Sequence, residues 1–281
     1  MNRAKTWILI AGLTGVFLGV GYLVGGRGGM TFALVLGLGF NFAMYWMSDR
    51  IAIRATRSKP AGEAQYPEYH AIVRELAAEH GMPMPKLYVS ESAQPNAFAT
   101  GRNPEHAAVS VTQGILQILD RRELRGVLAH ELSHVANRDI LVNSVAAAIG
   151  TSIQYLAMMA LWFGGGDDEE SPLGGFGVLL MWFLAPLAAA IIQMAISRSR
   201  EFQADESGAH LSRDPEALAS ALAKLEQTAK QVPMRLAESQ AHLFIVNPLA
   251  GLRGGASSLF STHPPVEERI RRLRELAGRL R

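Results

Sequence analysis

The chain has 281 residues, 49% of them hydrophobic, a formal net charge of +2 and no cysteine. So small a charge argues against a nucleic-acid partner. The lack of cysteine excludes disulfides, thiolate metal sites and a cysteine nucleophile, so any metal must be held by histidine and carboxylate.

In chain order, residues 6–25 and 30–47 form two apolar blocks, joined through Arg27 and four glycines. Two more blocks follow at residues 140–163 and 173–197. None of the four contains Asp, Glu, Lys or Arg. Each approaches the 20 or so apolar residues that a helix needs to cross a bilayer. The pattern predicts four transmembrane helices in two hairpins, residues 1–47 and 140–197. Between and after them lie two polar stretches, residues 48–139 and 198–281. Basic residues flank one side of these blocks: Arg3 and Lys5, then Arg50, Arg54, Arg57 and Lys59, then Arg198 and Arg200. The opposite loops hold Arg27 and the acidic run Asp167-Asp168-Glu169-Glu170. This asymmetry places both termini and both polar stretches in the cytoplasm.

Within the first polar stretch, residues 48–67 read as a basic linker, and residues 68–80 as a helix stopped by Gly81, Pro83 and Pro85. Residues 86–90 and 107–112 read as short strands. Between them Asn96-Ala97-Phe98-Ala99-Thr100 is extended or a loop. A short helix starts at 114, and Asp120 can cap the next one. That helix is expected to continue into the third apolar block. In the second stretch, the fourth block continues as helix to about 211. A further helix runs from Asp214-Pro215-Glu216 to about 231. Residues 232–260 are Gly-rich and irregular, a candidate mobile flap. His263-Pro264-Pro265 opens a last helix.

The capped helix carries His130-Glu131-Leu132-Ser133-His134. Residues four apart share a helix face, so both imidazoles can address one ion with Glu131 beside them. This is the ligand pair and general base of a zinc hydrolase. A catalytic zinc takes a third protein ligand, and the longer H-E-x-x-H-x-x-G-x-x-H pattern is excluded because Asn137 and Ile140 stand at its later positions. A carboxylate from a second helix is the alternative. Glu201 and Asp205 lie four apart at the end of the fourth block. That spacing lets Glu201 ligate while Asp205 orients a ligand imidazole. The five histidines at 70, 80, 106, 210 and 242 receive no role.

Four segments together resemble the HtpX family of bacterial membrane zinc metalloproteases, which is related to the CAAX prenyl endopeptidases. They are Asn96-Ala97-Phe98-Ala99-Thr100-Gly101, the His130–His134 motif with Asn137-Arg138-Asp139, Ser199 to Asp205, and Ser261-Thr262-His263-Pro264-Pro265. They occur in the family's order and cover nearly the whole chain. The resemblance implies a mainly α integral membrane protein with a gluzincin-like α+β protease domain on the cytoplasmic side of the inner membrane. It implies one Zn²⁺ per chain on His130, His134 and Glu201, with Glu131 as general base and His263 near the metal as a donor to the oxyanion. Arg200 is a second candidate for that donor, and His263 can equally be read as the entry to the last helix. The resemblance further implies that residues 96–100 pair with substrate backbone. It points to quality control and stress response, with misfolded or damaged membrane proteins as substrates. Self-cleavage is plausible on reach alone, and the oligomeric state is not legible. Two other readings stand beside this one: a narrow endopeptidase for prenylated peptides, and a non-enzymatic metal transporter or scaffold. Transporters place ionisable groups within their spans, whereas here the spans lack charge.

Overall fold

Leu87 and Val89 alternate with Lys86 and Tyr88 along residues 86–90, and Val109 and Val111 repeat the pattern along 108–112. A period of two puts each apolar pair on one face of a sheet. The computed structural model describes residues 52–139 apart from Arg102, residues 174–231 and residues 264–280, with scattered positions among 8–50 and Ile153. In it these segments become neighbours in a four-stranded sheet. The strands are β1 (Lys59–Pro60), β2 (Lys86–Ser90), β3 (Ala97–Thr100) and β4 (Ala108–Thr112), in the order β1-β2-β4-β3. β2 and β4 are parallel, pairing Lys86 with Ala108 and Ser90 with Thr112. β1 and β3 run antiparallel to their neighbours at the two edges. The extended segment at residues 96–100 is therefore an edge strand.

Six helices complete the described fold: α1 (Pro67–Glu79), α2 (Gln113–Ile118), α3 (Arg121–Ala136), α4 (Gly174–Ser212), α5 (Pro215–Gln231) and α6 (Val266–Leu280). α1 starts on Pro67, a residue whose fixed φ and missing N–H suit the first helical turn. Asp120 caps α3 as its sequence suggests. Its carboxylate accepts from the Glu123 amide at 2.9 Å, and Glu123 returns a bond to the Asp120 amide at 3.0 Å. Such a reciprocal cap satisfies two amides that no helical carbonyl can reach. Glu123 is itself buried and receives Ser220 and Lys224 of α5, each at 2.7 Å. The start of α3 is thus fixed to α5 as well as capped.

The core joins Ile72, Val73 and Leu76 of α1, Val109 and Val111 of β4, and Val127, Leu128 and Leu132 of α3. Leu218 and Leu222 of α5 and Leu273 of α6 complete it. α3 sits at its centre, with apolar residues inward and its polar motif on another face.

The expectation that α3 runs on into the third apolar block is corrected here. α3 ends at Ala136, and Arg138 takes a left-handed backbone with φ of 56°. The break turns the chain back so that Asp139 reaches His134, five residues earlier, at 2.8 Å. The turn falls on the polar step Asn137-Arg138-Asp139, between the motif helix and the third apolar block.

The chain divides into two compact units, Met1–Trp46 with Val142–Ser199, and Met47–Leu141 with Arg200–Arg281. The second contains the sheet and the motif helix. In the first, described apolar side chains such as Ile8, Phe32, Val35 and Phe183 are half or more exposed. The segments expected to span at 6–25, 30–47 and 140–163 lie largely outside the described residues, and the fourth falls within α4. Among the described residues no helix is long and apolar enough to cross a membrane. The candidate flap at 232–260 and His263 also lie outside them.

α4 approaches α3 closely where Gly208 faces His130. A Cβ at Gly208 would stand 2.7 Å from the backbone N and Cα of His130. In a helix interior Gly→Ala ordinarily gains about 1 kcal/mol. Gly208→Ala should instead destabilise by about 1–3 kcal/mol, because backbone cannot step aside. Gly278→Ala in α6, with nothing within 4 Å of its Cβ, should be neutral or stabilising. Thermal unfolding of both variants checks the opposite signs.

Candidate metal centre

One turn of α3, His130 to His134, and one of α4, Glu201 to Asp205, bring the site's polar residues together. His130 and His134 present their Nε2 atoms to one another at 3.2 Å, with ring planes 87° apart. Glu201, on α4, faces the gap between them: its Oε1 is 3.5 Å from His134 Nε2 and its Oε2 3.7 Å from His130 Nε2. One ligand atom from each of the three lies within 4.8 Å of the others. His130 is 1% exposed and Glu201 6%.

The donor set fits zinc. Two imidazole nitrogens and a carboxylate oxygen are the ligands of one class of catalytic zinc site. Nitrogens about 2.0–2.1 Å from a shared tetrahedral ion stand about 3.3–3.4 Å apart, close to the spacing seen. Charge gives a second test. Glu131, Asp139, Glu201 and Asp205 are buried here beside two buried guanidiniums, Arg200 and Arg269. With all four carboxylates ionised, two negative charges remain, which is the charge of one divalent cation. Leaving them uncompensated in a dry site is costly.

Each imidazole has a carboxylate at its far side. His134 Nδ1 meets Asp139 Oδ2 at 2.8 Å. His130 Nδ1 lies 3.0 Å from Asp205 Oδ1, though out of line for a well-directed hydrogen bond. Carboxylates so placed select the tautomer that leaves Nε2 free for metal. Asp205 is where the i, i+4 spacing to Glu201 puts it.

Arg269 of α6 is the residue that sequence reading missed. It is fully buried and grips Asp205 with two bonds, Nε to Oδ2 at 2.8 Å and an Nη to Oδ1 at 2.7 Å. Its other Nη is 3.4 Å from Glu201 Oε2. Burial alone would raise the Asp205 carboxyl; the charge and bonds of Arg269, with His130, outweigh it and lower it to about 2. Arg269 sits in the run Glu267-Glu268-Arg269-Ile270-Arg271-Arg272, which reads as a solvated face. The available signal was position: it falls three residues after Val266 and four before Leu273, on the buried stripe of α6.

Arg200 pairs with Asp139 and donates to the Asn137 carbonyl at 3.2 Å and Gln203 Oε1 at 2.9 Å. It ties α4 to the turn that ends α3.

Glu131 lies close enough to His130, His134 and Glu201 to feel their charge, and it also reaches the sheet. Its Oε2 accepts the Ala99 amide of β3 at 2.8 Å. Burial raises its carboxyl above the ordinary carboxylate range, against the lowering effects of His130, His134 and the Ala99 amide. Ala97 and Phe98 are buried in the same strand, and Asn96 and Thr100 at its ends are buried as well.

A helical His-Glu-x-x-His pair completed by a carboxylate from a neighbouring helix defines a zinc metallopeptidase. Residues 63–277 match the model of peptidase family M48. The chain is 51% identical over 277 residues to a protease HtpX homologue of Desulfatibacillum aliphaticivorans, covering 97% of this chain and 89% of that one. It is 50% identical over 279 residues to a protease HtpX homologue of Ralstonia pickettii, covering 98% and 97%. The chain belongs to peptidase family M48 and, within it, to the HtpX membrane zinc metalloproteases. Its fold is similar to the crystal structure of Ste24p from S. mikatae, with a TM-score of 0.53 at 17% identity; the match covers 96% of this chain and 63% of that one. Family membership sets aside the non-enzymatic transporter or scaffold.

Replacing Arg269 by Met should leave Asp205 buried without its countercharge. The expected loss is about 3–5 kcal/mol of stability and about tenfold or more in zinc affinity. Chemical denaturation and zinc titration against a chelator read the two separately. The double variant Asp205→Asn/Arg269→Met should recover much of the stability without the zinc affinity.

Proposed function

We propose that this chain is a multi-pass membrane endopeptidase that hydrolyses peptide bonds of misfolded or damaged membrane proteins at the cytoplasmic face of the bacterial inner membrane. The convergence of His130, His134 and Glu201 beside a buried Glu131 carries the catalytic part of this reading. The membrane part is supported by where apolar surface is exposed. Ten of the thirteen large exposed hydrophobic side chains among the described residues fall in the first unit, including Phe32, Val35, Trp46, Phe183 and Ile191. Water-facing surfaces seldom carry so many large exposed apolar side chains in so few segments. The basic residues at 50–59 and 198–200 orient the polar stretches inward.

In this reading His130, His134 and Glu201 hold one zinc, with Asp139 and Asp205 fixing the rings. When bound, zinc lowers the pKa of water and polarises the scissile carbonyl. Glu131 takes a proton from the attacking water and later delivers it to the leaving amine. Burial, by raising its carboxyl, brings it nearer to a group that can hold a proton at neutral pH. The bond from Ala99 fixes one carboxylate oxygen and leaves the other to work. His263 is the proposed donor to the oxyanion. Arg200 is a poor candidate for that role, since Asp139, Gln203 and the Asn137 carbonyl already engage it.

The free edge of β3 is the proposed seat of the substrate. Among the described residues this strand is paired on one side, to β4. An extended peptide can add to such an edge through main-chain bonds, which read shape more than sequence. That suits unfolded segments of varied composition, another copy of this chain included.

Glu131→Gln and Glu131→Ala should each retain about one zinc per chain and lose turnover by roughly 10²–10⁴-fold. The test is cleavage of an unfolded membrane protein by detergent-purified enzyme, with metal content measured on the same samples. Full zinc-dependent cleavage by either variant would remove Glu131 from its role. Failure of wild type to take up zinc would remove the ligand set.

A further inference from the structure

The outer face of the sheet carries a second feature that the proteolytic reading does not use. Lys86 and Tyr88 point to the side of β2 opposite the core residues Leu87 and Val89. Lys86 is paired with the small Ala108 of β4, which leaves space beside it. A helical turn at residues 52–55 lies over this face. It is pinned there by Ser58 Oγ and Ser110 Oγ at 2.8 Å, Thr56 Oγ1 and Ser58 Oγ at 2.7 Å, and Ser90 Oγ donating to the Thr56 carbonyl at 2.9 Å. Between turn and sheet is a cavity of about 210 Å³, lined by Arg50, Arg54, Lys86, Tyr88 and His106, with Glu105 as its one acidic residue.

Three permanent cations, two from residues 50–54 and one from β2, thus line one cavity with a single carboxylate. Neither Arg54 nor Lys86 has an ion-pair partner among the described residues. All three cations are exposed, and together they set a positive potential over the cavity that favours an anion there. Tyr88 adds a hydroxyl that can donate to an oxyanion. Arg50 stands three residues beyond the apolar block that ends at 47. We propose that this cavity binds the phosphate of an anionic phospholipid headgroup. The lipid source rests on the topology proposed above, which sets Arg50 and Arg54 at the bilayer surface. Juxtamembrane basic residues are attracted there to anionic lipid. Arg50 and Arg54, four apart on one helical face, hold one side of the headgroup, and Lys86 and Tyr88 hold the other.

The full chain, purified in detergent, is offered phosphatidylglycerol, phosphatidylcholine and inorganic phosphate in turn, and bound species are counted by native mass spectrometry. Arg54→Gln/Lys86→Gln should weaken phosphatidylglycerol retention roughly tenfold or more and leave phosphatidylcholine nearly unchanged. Arg54→Lys should keep most of the binding. Equal phosphatidylglycerol retention by wild type and the double variant would overturn the proposal. So would variant-sensitive binding of inorganic phosphate alone, which would assign the cavity to a soluble anion. Topology is read independently. A Glu63→Cys chain, otherwise free of cysteine, should react with an impermeant maleimide in inside-out vesicles only. Failure of the cavity leaves that labelling and the zinc content intact, whereas failure of the topology appears in the labelling itself.

Discussion

Burying charge without water is the constraint on which this protease domain depends. Four carboxylates and two imidazoles occupy a space that is almost closed to solvent. Each carboxylate has a specific answer. Asp205 is held by two bonds from Arg269, Asp139 by Arg200 and His134, and Glu131 by the Ala99 amide. Glu201 lies nearest the imidazole nitrogens, with Arg269 at 3.4 Å. With all four carboxylates ionised, two negative charges remain beside the two guanidiniums, which a dication would balance. A monovalent ion would leave half of the imbalance in place, and apolar replacement of the carboxylates would strand the two guanidiniums.

The same pairs explain how α3 and α4 stay in register. Metal ligands on two helices must keep their spacing within a few tenths of an ångström. Near Gly208 the helices touch backbone to backbone, so no flexible side chain intervenes. Arg200 fastens α4 to the end of α3, and Arg269 fastens Asp205 to α6. Glu201 lies between these two fastenings. The turn at Asn137 and Arg138 belongs to the same arrangement, since a straight α3 would carry Asp139 away from His134 and Arg200.

Residues whose role follows from local periodicity were legible in the sequence. The motif histidines share a face, Asp120 precedes a helical run with Glu123 in third position, and Glu201 and Asp205 repeat the four-residue spacing. The β2 and β4 strands announced themselves by alternation, whereas residues 96–100 could be read from the residues alone as strand or loop. What escaped depended on contacts between distant segments. Arg269 lies among charged neighbours, and only the fold decides that it turns inward while Arg271 and Arg272 face solvent. Gly208 is a lone glycine in a helix, a weak signal until His130 is seen against it. The end of α3 falls on the polar step Asn137-Arg138-Asp139, which a helix can also accommodate, and only the fold shows that Arg138 turns left-handed there.

Glu131 also links the catalytic step to the sheet. Its hydrogen-bond partner is the main chain of the edge strand, so the position of the base follows the position of β3. In an edge strand, alternate amides point outward, and the Ala99 amide is one of them, already taken by Glu131. A peptide added along that edge must therefore find its main-chain partners on either side of Ala99. On the proposed edge pairing, a substrate would be selected by its ability to become extended, which a folded protein cannot offer. Selection for unfolded chains can thus arise from the backbone of β3 and the carboxylate of Glu131, without a side-chain pocket for a preferred residue.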